Sequence, residues 1–241
     1  MLDADIFIKQ EKLDFPAQIN HYMEIIKTNL EKNNVNSIDF LMDKIYDYIM
    51  EKLYDRIFPI EPYGEDNKIF QKSVLLSWTK PHHFIKAEEE FDFGDLEHDF
   101  LECFKSFEKE KSPRKKIIVM DKLFNLIGLA LKLNKKDSDI STYYVKPLLE
   151  YLIIKSQCSR MYSNITFIEL YLEIDKKLGK QGFQLSQFKS ICEIIPGIKY
   201  NDLYGVTSSE EFYKKCNEAT REKKKLKNSF IKLKNNVGKI Y

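Results

Sequence analysis

Apolar residues recur at steps of three and four along almost the whole chain, the spacing that places side chains on one face of an α-helix. The clearest example follows Ser112-Pro113, where proline suits the first helical position. No segment alternates between apolar and polar residues as a half-buried strand would. The pattern therefore predicts an all-α protein of about nine helices. The apolar face of its clearest helix is formed by Ile117, Met120, Phe124, Ile127 and Leu131.

Capping and breaking signals predict where the helices begin and end. Pro16 starts the first helix, which runs to about Asn33, and Asn36-Ser37 caps a second helix that Pro59 ends. Thr207-Ser208-Ser209-Glu210 is a capping box for the final helix. The apolar pattern predicts further helices over residues 67–78, 95–107, 142–156, 163–178 and 183–194.

Composition narrows the function mainly by exclusion. Glycine is scarce, at 8 of 241 residues, and neither G-x-x-x-x-G-K-[ST] nor G-x-G-x-x-G occurs, so we expect no bound nucleotide and no cofactor. The histidines show no H-x-x-x-H spacing and predict no metal site. A G-x-S-x-G elbow is missing too, which disfavours a hydrolase. The four histidines are His21, His82, His83 and His98.

Cysteine usage and the N-terminus bear on the compartment. The four cysteines form no C-x-x-C pair, and the first residues, Met-Leu-Asp-Ala-Asp, lack the basic-then-apolar order of a signal peptide. We therefore expect a cytoplasmic protein with reduced thiols.

The net charge of +2 conceals two oppositely charged regions. Residues 213–241 carry a net charge of +8, which leaves −6 for residues 1–212. Three interpretations of this basic tail stay open: a solvated helix end, attraction to anionic lipid or an acidic partner, and nucleic-acid binding. The last is least favoured, because aromatic residues are not interleaved with the tail lysines. The acidic stretch 88–95 is predicted to be a solvated loop.

Several runs resemble the VPS-nine domain, which belongs to guanine nucleotide exchange factors for Rab-five-type GTPases. Residues 112–131, beginning Ser-Pro-Arg-Lys-Lys-Ile, are similar to its P-R-x-K-L … I-F-N helix. Residues 147–155, followed by Ser163-Asn164-Ile165, resemble its L-P-x-L-I-Y-x-x-x-K … S-N-x-x-Y-I block. Weaker similarities at Leu76-Ser77-Trp78 and at residues 203–212 extend the ordered set over about residues 37–217.

The resemblance implies a domain organisation and a function. It predicts an N-terminal helical extension over residues 1–35, a GTPase-binding domain over 36–217 and a basic C-terminal helix over 218–241. The implied activity is release of GDP from an endosomal Rab-five-subfamily GTPase, without covalent chemistry. The implied location is the cytoplasm with peripheral recruitment to early endosomes. The tail would add attraction to an anionic membrane, and no nucleic acid is expected.

The resemblance also assigns candidate site residues. The groove proline of the family corresponds to Pro147, and its tyrosine and threonine that contact the GTPase correspond to Phe183 and Ser186. Family members carry an aspartate four residues before the proline, an acidic finger that competes for Mg²⁺ and the P-loop lysine. This chain has Tyr143 there, a neutral phenol. Asp139, about one helical turn upstream, is the candidate replacement finger, with Asp137 as a second choice.

Three functional hypotheses follow. The first is an active exchange factor. The second is a non-catalytic Rab-binding module, a scaffold or effector that has lost the acidic finger. The third is a helical adaptor, unrelated to GTPases, whose basic end docks on membrane or RNA.

Overall fold

The computed structural model describes residues 3–85, 91–134, 142–173 and 175–237. These residues contain nine α-helices and no β-strand, which confirms the predicted all-α class. Short 3₁₀ turns lie at Pro81–His83, Asp175–Lys177, Ile195–Gly197 and Tyr200–Asp202. The helices are α1 (Asp3–Lys32), α2 (Ile38–Ile57), α3 (Gly64–Leu75), α4 (Leu96–Lys109), α5 (Pro113–Leu133), α6 (Thr142–Ser156), α7 (Met161–Tyr171), α8 (Gly179–Ile194) and α9 (Ser209–Val237).

Two hydrophobic cores organise these helices. The larger core is built by residues of α3 to α9, with Phe100, Met120 and Phe188 completely buried at its centre. The smaller core joins α1 and α2 to α7. Because α7 contributes to both, the two N-terminal helices are packed onto the rest of the molecule. The buried residues of the smaller core are Ile19, Met23, Tyr46, Met50, Phe167 and Tyr171.

A row of polar contacts adds to this packing by joining α2 to the start of α5. Acidic residues spaced four apart along α2 share one side of the helix, and each contacts a side chain of residues 111–115. In two of these pairs both side chains are solvent-exposed, and such pairs stabilise little individually. Together the four contacts fix how α2 lies against α5. The pairs are Asp43 with Arg114, Asp47 with Ser112, Glu51 with Lys115 and Asp55 with Lys111.

Three of the predicted capping and breaking signals act differently in the structure. The first helix begins at Asp3, so Pro16 lies inside α1, where it removes one backbone hydrogen bond without ending the helix. Ser37 precedes α2 as predicted, but its φ of 59° is left-handed and its side chain makes no capping bond. The cap of α9 lies one residue later than predicted: Ser208 Oγ accepts the N–H of Glu211 at 3.2 Å, and the Glu211 carboxylate accepts the N–H of Thr207 at 3.2 Å.

The predicted helix over 163–178 is also interrupted. It ends at Tyr171, and the 3₁₀ turn Asp175–Lys177 follows before α8 begins at Gly179, four residues earlier than expected. Gly179 has a φ of +63°, a conformation that glycine adopts without steric cost and that separates the turn from the helix. The family-like residues around Phe183 therefore lie in the first two turns of α8.

The predicted solvated loop over 88–95 is wrong for its second half. Phe91 and Phe93 are buried in the larger core, and the Phe93 ring stacks on Tyr151 with centroids 5.7 Å apart. Asn134 holds this segment by accepting the Asp92 N–H and donating to the Asp92 carbonyl. Residues 88–90 lie outside the described part of the chain.

Candidate functional site

Helices α6 and α8 lie side by side and bring the predicted site residues onto neighbouring surfaces. The ammonium of Lys146 on α6 donates a hydrogen bond of 3.0 Å from Nζ to the Oγ of Ser190 on α8. Pro147 follows Lys146 directly, and Ser186 lies four residues before Ser190, one turn away on the same side of α8. The two segments predicted to form one site are thus adjacent in space.

The side chains at the predicted positions are accessible to a partner. Tyr143 is 57% exposed and Phe183 is 46% exposed. Ser186 is exposed as well, and its hydroxyl donates to the Phe183 carbonyl at 2.7 Å. Pro147 is half-buried inside α6. Their roles in binding a GTPase stay predictions.

The finger position holds an aromatic side chain. The ring of Tyr143 lies edge-on to that of Tyr144, with centroids 5.1 Å apart. The candidate replacement finger Asp139, like Asp137, lies outside the described residues.

The carboxylate of Asp121 on α5 binds two side chains in the first turns of α8 and so fixes their position. Asp121 receives a bond of 2.9 Å from the Nε2 of Gln184 and lies 2.5 Å from the ammonium of Lys180. Hydrogen bonds from Lys180 and then from Gln184 lower the pKa of the Asp121 carboxyl, so it carries its charge here. Gln184 is buried beside Phe183, and its Oε1 has no partner within the described part of the chain.

A titratable carboxyl lies beside the predicted site on α6. Burial raises the pKa of Glu150 from its ordinary value of 4.5 to about 7. The Lys146 ammonium opposes this shift, whereas the carboxylate of Asp202 adds to it. Sequence reasoning missed Glu150, although its spacing of four from Lys146 on a predicted helix was the available signal. For Asp121 and Gln184 no local signal existed, since their contact joins residues 63 positions apart.

One histidine and all four cysteines are buried in this fold. His83 is buried and accepts the Lys80 N–H at 2.9 Å, and burial lowers its pKa to about 4. All four cysteines are buried and free. Among the described residues, no group of three or more His, Cys, Asp or Glu side chains is placed to hold a metal ion. None of the described helices is both long and apolar enough to cross a membrane.

Helices α6 and α8 thus pack side by side on a buried core and expose the aromatic rings of Tyr143 and Phe183. Residues 98–200 match the family model of the Vacuolar sorting protein 9 (VPS9) domain. The match confirms, over these residues, the resemblance predicted from the sequence. VPS9 domains bind Rab GTPases and generally act as exchange factors for the Rab-five type. A search of the curated proteins finds no match to the chain.

The matched region contains α5 to α8 and most of α4. It therefore includes every described residue of the predicted site: Tyr143, Pro147, Phe183 and Ser186. The match is shorter than the predicted domain over residues 36–217, whose boundaries, with those of the flanking segments 1–35 and 218–241, stay predictions.

Proposed function

We propose that this protein binds a Rab-five-subfamily GTPase on the surface formed by α6 and α8 and promotes the release of its GDP. The contact between Lys146 and Ser190 carries the proposal, because it sets the two helices side by side within the VPS9 match. The exposed rings of Tyr143 and Phe183 then lie on these neighbouring helices. Apolar rings that are exposed in the free protein gain most when a partner covers them.

The proposed activity needs no covalent step. A GTPase holds its nucleotide through the P-loop backbone, the P-loop lysine and Mg²⁺, so release by the GTPase alone is slow. A protein that binds the nucleotide-free form more tightly shifts this equilibrium by its differential affinity, and a ten-thousandfold preference corresponds to about 5.5 kcal/mol. In this chain Pro147 and Phe183 would hold the switch regions by apolar contact, and Ser186 would add a hydroxyl contact.

A second candidate is a Rab-binding module without exchange activity. The observation that favours it is Tyr143, whose exposed phenol occupies the position of the acidic finger. A neutral phenol neither repels phosphate nor replaces a carboxylate at Mg²⁺. Such a protein would bind the GTPase and leave the rate of nucleotide release unchanged.

Stopped-flow measurement of fluorescent GDP leaving a panel of Rab-five-type GTPases tests the proposal. Acceleration that saturates with protein concentration supports an exchange factor. Binding without acceleration, with preference for the GTP-loaded over the nucleotide-free GTPase, supports the second candidate. Failure to bind any member of the panel in any nucleotide state would overturn both.

We further propose a cytoplasmic protein recruited peripherally to early endosomes, with the basic end of α9 attracted to the anionic membrane surface. The exposed side chains of Lys214, Arg221 and Lys224 on α9 support this. Each basic residue near such a surface contributes about 1 kcal/mol, and the attraction weakens with salt. Vesicles containing phosphatidylserine should retain the protein at low salt. Deleting residues 221–241 should abolish retention, with neutral vesicles as the control.

The same deletion of residues 221–241 distinguishes the proposed membrane attraction from the adaptor hypothesis. If α9 only adds membrane attraction, the shortened protein keeps its affinity for the GTPase in solution. The adaptor hypothesis would instead be supported if the shortened protein lost all partner binding. It would also be supported if RNA, and not anionic vesicles, retained the full chain.

A further inference from the structure

Arg114 connects three parts of the molecule from one largely buried position. Its side chain is 15% exposed and makes a bidentate pair with Glu173, in which Nε donates to Oε2 at 3.1 Å and Nη2 donates to Oε1. The remaining nitrogen, Nη1, donates to Asp43 on α2. The guanidinium also lies over the ring of Tyr46, 4.3 Å from its centroid. Planar stacking and paired donors are the contacts for which arginine is suited and lysine is not.

Glu173 lies at the start of the connection that leads into α8. Its carbonyl accepts the N–H of Lys177 at 3.2 Å, so the backbone at residue 173 fixes the following 3₁₀ turn. The Lys177 carbonyl in turn touches Gly182, and the Lys177 ammonium donates to the Glu169 carbonyl on α7 at 2.5 Å. Gly182 directly precedes Phe183.

The N-terminal helices reach the same connection by a second route. The hydroxyl of Tyr46 on α2 donates to the carbonyl of Tyr171 at the end of α7. Tyr46 and Tyr171 both belong to the smaller hydrophobic core. Residues 171 and 173 are therefore each held from α2, one through Tyr46 and the other through Arg114 and Asp43.

We propose that Arg114 is a positioning residue for the GTPase-binding end of α8. It would hold Glu173 so that the turn at residues 175–177 places Gly182 and Phe183 where a partner meets them. Through Asp43 and Tyr46, α2 supports the same contact, which makes it part of the binding apparatus. This inference rests on the proposed function, since it assumes that Phe183 contacts the GTPase.

The chain offers a matched control for the test. Lys115 pairs with Glu51 at 2.5 Å, so this ion pair joins α2 to α5 as Arg114 does but has no contact with residue 173. We therefore compare Glu173→Gln with Glu51→Gln, each of which neutralises one carboxylate in a cross-helix pair. The readouts are hydrogen–deuterium exchange of residues 176–186 in the free protein and affinity for a nucleotide-free Rab-five-type GTPase.

Glu173→Gln should speed hydrogen–deuterium exchange at residues 176–186 and weaken GTPase binding about fivefold. An effect of this size is usual for a residue that acts on the binding site through other residues. Glu51→Gln should change neither readout. Arg114→Lys should give an intermediate effect, because lysine keeps the charge and loses the bidentate geometry. The inference would be overturned if hydrogen–deuterium exchange at residues 176–186 were unchanged in Glu173→Gln. Equal changes in Glu173→Gln and Glu51→Gln would overturn it as well. If the wild-type protein binds no GTPase, the proposed function fails, and the exchange data still decide whether Arg114 positions α8.

Discussion

The backbone carbonyl oxygen of Lys177 lies so close to Gly182 that a Cβ atom added at residue 182 would come within 1.8 Å of it. Contacts this short do not occur between real atoms, so every residue except glycine would force the turn at residues 175–177 away from α8. Because Phe183 follows directly, the same displacement would move a residue of the predicted binding surface. Gly182 thus has a packing role directly beside Phe183.

Gly182→Ala should therefore lower the free energy of unfolding by about 2–3 kcal/mol, the upper range for overpacking a tight site. Gly64→Ala is the control, because a Cβ at residue 64 meets nothing within 4 Å and the backbone there is not left-handed. Urea unfolding followed by circular dichroism measures both. Equal stability of the two variants would contradict the close approach.

The helices were the most predictable part of this fold. The steps of three and four from Ile117 to Leu131 located α5, and Pro113 marked its first residue as expected. The start of α8 was missed by four residues, because it depends on the left-handed backbone at Gly179 and on the contact between Lys177 and Gly182. Periodicity reports which face of a helix is buried and carries no information about such contacts.

Two serines on α8, the predicted site residue Ser186 and the structurally bonded Ser190, should behave differently. Ser190 accepts the Lys146 hydrogen bond from α6, so Ser190→Ala should cost about 0.5–1.5 kcal/mol of stability. Ser186 is exposed and bonds only within its own helix, so Ser186→Ala should leave stability unchanged and weaken GTPase binding. Thermal unfolding and affinity measured on both variants separate the two roles. A stability loss in Ser186→Ala equal to that in Ser190→Ala would contradict this assignment.

Exchange activity should respond to charge at the finger position. Tyr143→Asp introduces the carboxylate that the resemblance predicts at this position, and we expect it to speed GDP release about tenfold, equivalent to about 1.4 kcal/mol in the barrier. Tyr143→Phe is the control, since it keeps the exposed ring without adding charge. The measurement is stopped-flow release of fluorescent GDP.

Asp139→Ala decides whether a replacement finger exists. If Asp139 supplies the acidic group, this variant should lose exchange activity and Tyr143→Asp should add little. If Asp139→Ala is as active as the wild type, the replacement finger is excluded. Reduced GTPase affinity in Asp139→Ala would mean that the residue contributes to binding as a whole and not to release.

The candidate site was predictable only where the resemblance extends. Pro147, Phe183 and Ser186 came from runs that are similar to the VPS-nine family, and the structure places them on adjacent helices. The pair of Arg114 with Glu173 spans 59 positions, and neither residue type signals its partner in the sequence. Glu150 gave a local signal in its spacing from Lys146, but its burial, which shifts its pKa, follows from tertiary packing alone.

The stability of the protein should depend on pH through Glu150. Its pKa is about 7 in the folded state, against an ordinary value of 4.5, because burial disfavours the charged carboxylate. The folded state therefore binds the proton more tightly than the unfolded state. This contribution to stability is complete below pH 4.5 and is lost as the pH rises through about 7.

Glu150→Gln removes the ionisable group, so it should raise the free energy of unfolding relative to wild type by about 1–3 kcal/mol at pH 8 and change it little at pH 4.5. Urea unfolding at the two pH values measures the difference between the proteins. Glu193→Gln, the same substitution at an exposed position on α8, is the control for the substitution itself. A Glu150→Gln effect of the same size at pH 4.5 and pH 8 would show that the carboxyl titrates at its ordinary pKa. A loss of stability at pH 8 would show that Glu150 is held as a charged partner of Lys146, which would make this pair part of the bridge between α6 and α8.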